Sequence, residues 1–338
     1  MIKLWLAEIP PRGRLYLGLL LAALLVAPFV VHGYTLSVLI LVFYFAYLGQ
    51  AWNIMMGFAG QLSLGHALYF GLGAYAAAAL YVHFGVSPWL GVLAGGIVAA
   101  AVGAFIGALG FRFRIGGVYF AILTIAFAEF TRILFDHFLW VGGSGGFFLP
   151  VTGRGGNDLL GLRGSPEMFY YLWLAATIGV LILCRALLSS RLGYFWLAIR
   201  ENEEAAQALG INTFRYKIFA VMLSAALTAF GGVLYAFYNN NLFPSAIFSI
   251  NRSIDMLLGA IIGGVGTLMG PIIGAFILTP LGETLTVLLE PLRDYGFKLD
   301  GIKQVFYGLC VVLIVVFQRR GVWPWLKRKL GLGGGGAL

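Results

Sequence analysis

Charge is what this sequence has least of. Of 338 residues, 22 are Lys or Arg and 13 are Asp or Glu, together 10%. A soluble fold of this length carries about a quarter charged positions, so a water-facing globular surface is excluded. Cysteine is almost as scarce: Cys184 and Cys310 both sit inside apolar runs, where each reads as a small hydrophobe. They offer no disulfide framework and no metal cluster. The four histidines, His32, His66, His83 and His137, are scattered through or beside separate apolar runs. No H-E-x-x-H, G-x-S-x-G or G-x-x-x-x-G-K-[ST] occurs, so zinc-protease, serine-hydrolase and nucleotide-cradling chemistry lack their usual carriers. Catalysis within this chain is not expected, and any energy it uses must come from elsewhere. Strict polar/apolar alternation is also missing, which argues against a transmembrane β-barrel.

What is present is apolar: 61% hydrophobic residues, 28 Phe and 48 Gly, with a mean hydropathy of +0.93. A helical membrane span needs about 20 mostly apolar residues. Runs near 15–31, 35–57, 59–82, 89–111, 117–140, 169–188, 215–238, 253–280 and 303–317 qualify. The expectation is one transmembrane domain over 1–338, an all-α bundle of about 8 to 10 segments, some short or broken. The first run follows Lys3, Arg12 and Arg14 like a signal peptide, yet no A-x-A site follows, so it reads as an uncleaved span.

The net charge of +9 does not point to nucleic acid, because the basic residues fall in short clusters at span ends. There they set orientation, the basic side being cytoplasmic. Clusters at Lys3/Arg12/Arg14, Arg112/Arg114, Arg185 to Lys217 and Arg319 to Lys329 place segment 1–14, loop 189–214 and both termini in the cytoplasm. The Gly-rich tail 331–338 is expected to be flexible. Segments 141–168 and 239–252 fall on the far side. A chain outside at 245 and inside at 319 must cross an odd number of times, yet two runs remain. Run 253–280 is interrupted by Gly263, Gly264, Gly266, Gly270 and Pro271, residues that break helices or let backbones touch. It is therefore expected to enter and return as two short helices, leaving 290–302 outside. Trp323 and Trp325 beside Lys327, Arg328 and Lys329 read as an interfacial anchor.

A second glycine-rich stretch, Gly57 to Leu80, has Ala67 with Gly71 and Gly73 with Ala77 four apart, as Gly266, Gly270 and Gly274 are in the later run. Such spacing packs helices closely in lipid. The same stretch also fits a broken helix framing a central path, with Gln61, Ser63 and His66 turned inward. In run 117–140, Glu129, Arg132 and Asp136 share one helical face. They form either a self-neutralising ladder or a polar lining or gate of the pathway.

Between two spans lies RENEEAAQALGIN, Arg200 to Asn212. Asn202 can cap a short helix, Glu203 and Glu204 suit its positive end, and Gly210 suits its stop. So short a helix is marginal in water and needs a surface to lean on; the alternative is a solvated loop helix. Its small apolar side, Ala205, Ala206, Ala208 and Leu209, suits a partner's groove.

Glu204-Ala205-Ala206 followed by Gly210 resembles the EAA-x-x-x-G loop of ATP-binding-cassette importer permeases, whose coupling helix docks on the ATPase. AIRENEEAAQALGIN, GQLSLGHALYFGLGAY, GGVYFAILTIAFAEFTRILF and GAIIGGVGTLMGPIIGA are together similar to the branched-chain amino acid permease family, in its LivM-type branch, over roughly residues 35–320. The resemblance implies an inner-membrane importer working by alternating access. Its other parts would be a second, homologous permease, two cytoplasmic ATP-binding subunits holding ATP and Mg, and a periplasmic amino-acid-binding protein. This chain would hold no cofactor. Arg200, Glu201, Asn202, Glu203, Glu204, Ala205, Ala206 and Gly210 would contact the ATPase. Leu, Ile and Val are the implied cargo. Urea, other amino acids or amides are the alternative, and a stand-alone secondary transporter, with Glu129, Arg132 and Asp136 as its ion site, is a third reading.

Overall fold

The computed structural model describes residues 11–150, 157–289, 301–318 and 320–329. Segment 1–10, the stretch 290–300 of the expected outer loop, Arg319 and tail 331–338 lie outside them. Long helices follow the apolar runs: α1 Pro11–Val30, α2 Tyr34–Asn53, α3 His66–Phe84, α4 Pro88–Arg112, α5 Gly117–His137, α6 Pro166–Leu188 and α9 Thr213–Asn239. Between α6 and α9 stand α7 Arg191–Glu201 and α8 Glu203–Ala208. The chain continues with α10 Pro244–Ile247, α11 Ile250–Gly263, α12 Gly270–Leu289, α13 Ile302–Phe317 and α14 Val322–Lys329. Among the described residues, eight helical stretches are long and apolar enough to cross a membrane, and two shorter apolar helices lie at residues 18–30 and 304–314.

Local chemistry sets the helix starts. Pro88 and Pro166 stand in first turns, where the missing N–H costs nothing. Ser190, Asn202, Asn212 and Ser249 each accept a backbone N–H at the start of α7, α8, α9 and α11.

Small residues bring the bundle together. A methyl carbon on Gly73 would lie 2.6 Å from the Ala229 Cα, and one on Gly91 would lie 2.7 Å from the Ala77 Cβ. So α3 touches both α9 and α4 nearly backbone to backbone, the packing expected from the four-residue spacing. At one end a two-residue ladder, β1 Phe147–Phe148 against β2 Asn241–Leu242, ties the α5–α6 connection to the one after α9.

The interrupted run 253–280 does reverse direction, but not as two short helices. α12 has 20 residues and runs on to Leu289. The break is confined to 264–269, where Gly264 and Gly266 take φ of 125° and 78°, values open chiefly to glycine. On either side of it, α11 and α12 are antiparallel: Gly263 faces Gly270, and Gly259 faces Gly274. Run 59–82 also starts later than expected, because residues 59–65 are not helical and α3 begins at His66.

Candidate functional site

Among the described residues, members of three of the basic clusters converge on one end of the bundle. Arg114, Arg200 and Lys217 line a single cavity of about 590 Å³ together with Gln61, Glu203, Glu204 and Gln207. Arg320 brings its carbonyl oxygen to the hairpin turn, 2.9 Å from where a Gly264 Cβ would stand. In α14, Lys329 Nζ lies 4.5 Å from the Trp325 ring centroid, a cation–π contact suited to an interfacial helix.

The expected short helix stands at this end as α8. Its cap is Asn202, whose side chain accepts the Ala205 N–H at 3.0 Å, a contact worth about 1 kcal/mol. Gly210, at φ 85°, ends the turn. One side of α8 is fixed to the bundle: Lys217 Nζ donates to Glu203 Oε1 at 2.7 Å and lies 4.4 Å from the centre of the Phe111 ring. Gln207 Nε2 donates to Thr213 Oγ1 at 2.8 Å, and Ala206 is buried. The other side is open: Glu204, Ala205 and Ala208 are exposed, and Leu209 is 82% exposed. Arg200 and Glu201, read from sequence with this helix, end α7 instead, because Asn202 is extended and separates the two helices. Arg200 turns inward and donates from Nη1 to the Gly57 carbonyl at 2.6 Å, while its Nη2 meets Glu201 at 2.8 Å.

Gln61, Ser63 and His66 are buried as expected, Ser63 and His66 among packed helices and Gln61 at the wall of the cavity. Gln61 Nε2 donates to the Ala59 carbonyl, and the Ser63 carbonyl accepts the Trp52 indole N–H at 2.9 Å. His66 Nε2 lies 2.9 Å from Ser224 Oγ, which donates to the Ala51 carbonyl. Their contacts therefore lock the non-helical stretch 59–65 in place.

Glu129, Arg132 and Asp136 are brought together. Arg132 Nη2 meets Glu129 Oε1 at 2.5 Å and its Nη1 meets Asp136 Oδ2 at 2.8 Å. The ladder lies at the edge of the buried face: the Glu129 side chain is 51% exposed, whereas those of Arg132 and Asp136 are 28% and 19% exposed. The buried face of α5 is Phe120, Ala121, Thr124 and Ala128.

Sequence reasoning passed over three positions. Arg252 donates to the Tyr44 and Tyr235 hydroxyls at 2.9 and 3.1 Å and to the Ala246 carbonyl at 2.9 Å, joining three segments through one guanidinium. Gln50 and Asn53 are wholly buried in α2 and bond the turn between α11 and α12. A signal was present: two amides three apart in an otherwise apolar run share one helical face and need polar partners.

Many apolar spans with a small helix displayed at the basic end define an all-α, multi-pass membrane protein. The chain belongs to the branched-chain amino acid transport system permease component family, whose model matches residues 34–316. It is 30% identical to the high-affinity branched-chain amino acid transport permease LivM of Escherichia coli K12, covering 96% of this chain and 78% of that one. A probable LivM of Methanocaldococcus jannaschii is 23% identical over 82% of this chain and 84% of its own. The autoinducer 2 import permease LsrC of Yersinia enterocolitica is 28% identical over 66% and 58%. No solved structure matches. As a member of this family the chain is a transport subunit, not an enzyme.

Proposed function

We propose that this chain is the permease subunit of an ATP-driven importer that carries leucine, isoleucine and valine across the bacterial inner membrane by alternating access. The observation that carries the reading is the open face of α8. Family membership supplies the context, and Glu204, Ala205, Ala208 and Leu209 form an exposed, largely apolar strip on a helix whose opposite side is bonded to the bundle. A six-residue helix is too short to persist alone in water, so its cap and bonds hold it ready for a partner. The partners are two cytoplasmic ATP-binding subunits, which hold ATP and Mg; this chain holds no cofactor. A second, homologous permease and a periplasmic binding protein complete the assembly. The basic end of the bundle then faces the cytoplasm, with both termini on that side.

The test is reconstitution of the chain with these partners in vesicles. Radiolabelled leucine should accumulate only with ATP and loaded binding protein, and isoleucine and valine should compete. Accumulation driven by an ion gradient without ATP would overturn the reading. The similarity to a permease named for autoinducer 2 import favours a second reading, the same machine with another cargo. ATP-dependent uptake that leucine, isoleucine and valine fail to saturate would support it.

A further inference from the structure

Three segments distant in sequence meet beside Arg200. The first is the end of α2, where the helix widens into a π-turn over Ile54–Phe58 before the non-helical stretch; such insertions recur at functional positions. The second is the turn 264–269 between α11 and α12, and the third is the C-terminus of α7. Asn53 Oδ1 accepts the Gly266 N–H at 2.8 Å, and Asn53 Nδ2 donates to the Thr267 carbonyl at 3.0 Å. Gln50 Nε2 donates to the Leu268 carbonyl at 2.5 Å. These two buried amides serve three consecutive residues of a turn whose own backbone bonding includes the Thr267 N–H to the Gly264 carbonyl at 3.3 Å.

The contact continues directly to α7. A Cβ on Gly266 would stand 2.7 Å from Arg200 Nη1 and 2.9 Å from the Gly57 carbonyl oxygen, and that same carbonyl accepts from Arg200. The turn, the π-turn and the guanidinium thus share one contact with no room for an added methyl. Around it, the cavity of about 590 Å³ separates α8 from the Arg114–Gly117 loop.

We infer that Asn53 is a positioning residue: through Gly57 and Arg200 it makes the turn 264–269, and with it the α11–α12 hairpin, move with the α7–α8 segment. This rests on the reading of α8 as the ATPase-coupling helix and names the route by which its movement would enter the bundle. α11 and α12 carry that movement as a unit because they touch backbone to backbone at Gly263 and Gly270. The route depends on both atoms of the Asn53 amide, since one accepts and the other donates.

The experiment uses the full reconstituted importer and compares wild type with Asn53→Ala, Asn53→Asp and Gly266→Ala. Uptake and ATP hydrolysis are measured on the same vesicles, with the amount of assembled complex determined for each. The expected result is normal assembly, basal ATP hydrolysis within twofold of wild type, and a tenfold or greater fall in leucine carried per ATP for Asn53→Ala and Gly266→Ala. Asn53→Asp, which retains the acceptor, should fall between. A merely structural role would lower assembly, uptake and hydrolysis in proportion and leave the ratio unchanged. An unchanged ratio in an importer whose wild type is ATP-coupled overturns the route alone. A wild type that transports without ATP overturns the reading of α8 and the route together.

Discussion

Replacing Gly263 by Ala tests the hairpin as a mechanical unit. A methyl at 263 would overlap the Gly270 carbonyl and lie 2.9 Å from the Gly274 amide nitrogen, where carbon contacts settle near 3.5 to 4.0 Å. The obstacle is backbone on the facing helix, not the end of a side chain that could swing away. Inserting a methyl into a packed interior costs about 1–3 kcal/mol, and a rigid obstacle puts this site at the upper end. Greater helix propensity and a stiffer unfolded chain return about 0.4–1 kcal/mol. The net is a loss of about 2 kcal/mol, which for a chain of this size lowers Tm by about 3 °C. Gly179 in α6 is the control, since nothing lies within 4 Å of a Cβ there. Its change to Ala should raise Tm by about 1 °C from the same gain. Both variants are compared with wild type in one detergent at one heating rate. If Gly263→Ala is as stable as Gly179→Ala, close approach does not hold α11 to α12.

Three other outcomes follow from the same contacts. Lys217→Met keeps the side chain's bulk over Phe111 but removes the Glu203 partner, so amide exchange across 203–208 should quicken at least tenfold while α9 is unaffected. Equal exchange would show that Gln207 and Ala206 alone fix α8. Arg252→Leu leaves the Tyr44 and Tyr235 hydroxyls and the Ala246 carbonyl without their donor, at a cost of about 3 kcal/mol. Tm should fall by about 4 °C, and Tyr44→Phe should cost little more in that background; full additivity would contradict a shared network. The triple change Glu129→Gln, Arg132→Gln and Asp136→Asn removes the ladder as a unit. Uptake by the assembled importer should stay within twofold, and a tenfold loss would give these residues a place on the path.

Much of this architecture was legible because its signals are local. Apolar runs of about 20 residues fix the spans, the glycines of 263–271 mark the reversal, and Asn202 with Gly210 bracket α8. What escaped depends on partners far along the chain. Nothing near Asn53 says that its amide meets Gly266 and Thr267, so α2 read as an ordinary span, and its π-turn was invisible for the same reason. Arg252 looked like the end of a far-side loop because its tyrosine partners lie 208 and 17 residues away. The non-helical stretch 59–65 carries the same small residues as a helix, and only the Trp52, Thr124 and Ser224 contacts around it show that it is held open. The spacing of Glu129, Arg132 and Asp136 correctly gave their shared face but not its place at the edge of the buried one, which the packing of Thr124 and Ala128 decides.

The most direct test of the central claim, that α8 presents its open face to an ATP-binding subunit, is photocrosslinking from that face in the assembled importer. A photoreactive residue at Leu209, 82% exposed at the basic end, is compared with one at Leu160, 77% exposed in the α5–α6 connection. The account predicts a crosslink to the ATP-binding subunit from 209 and none from 160. No crosslink from 209 in a complex that still hydrolyses ATP, or a crosslink from 160, would contradict it.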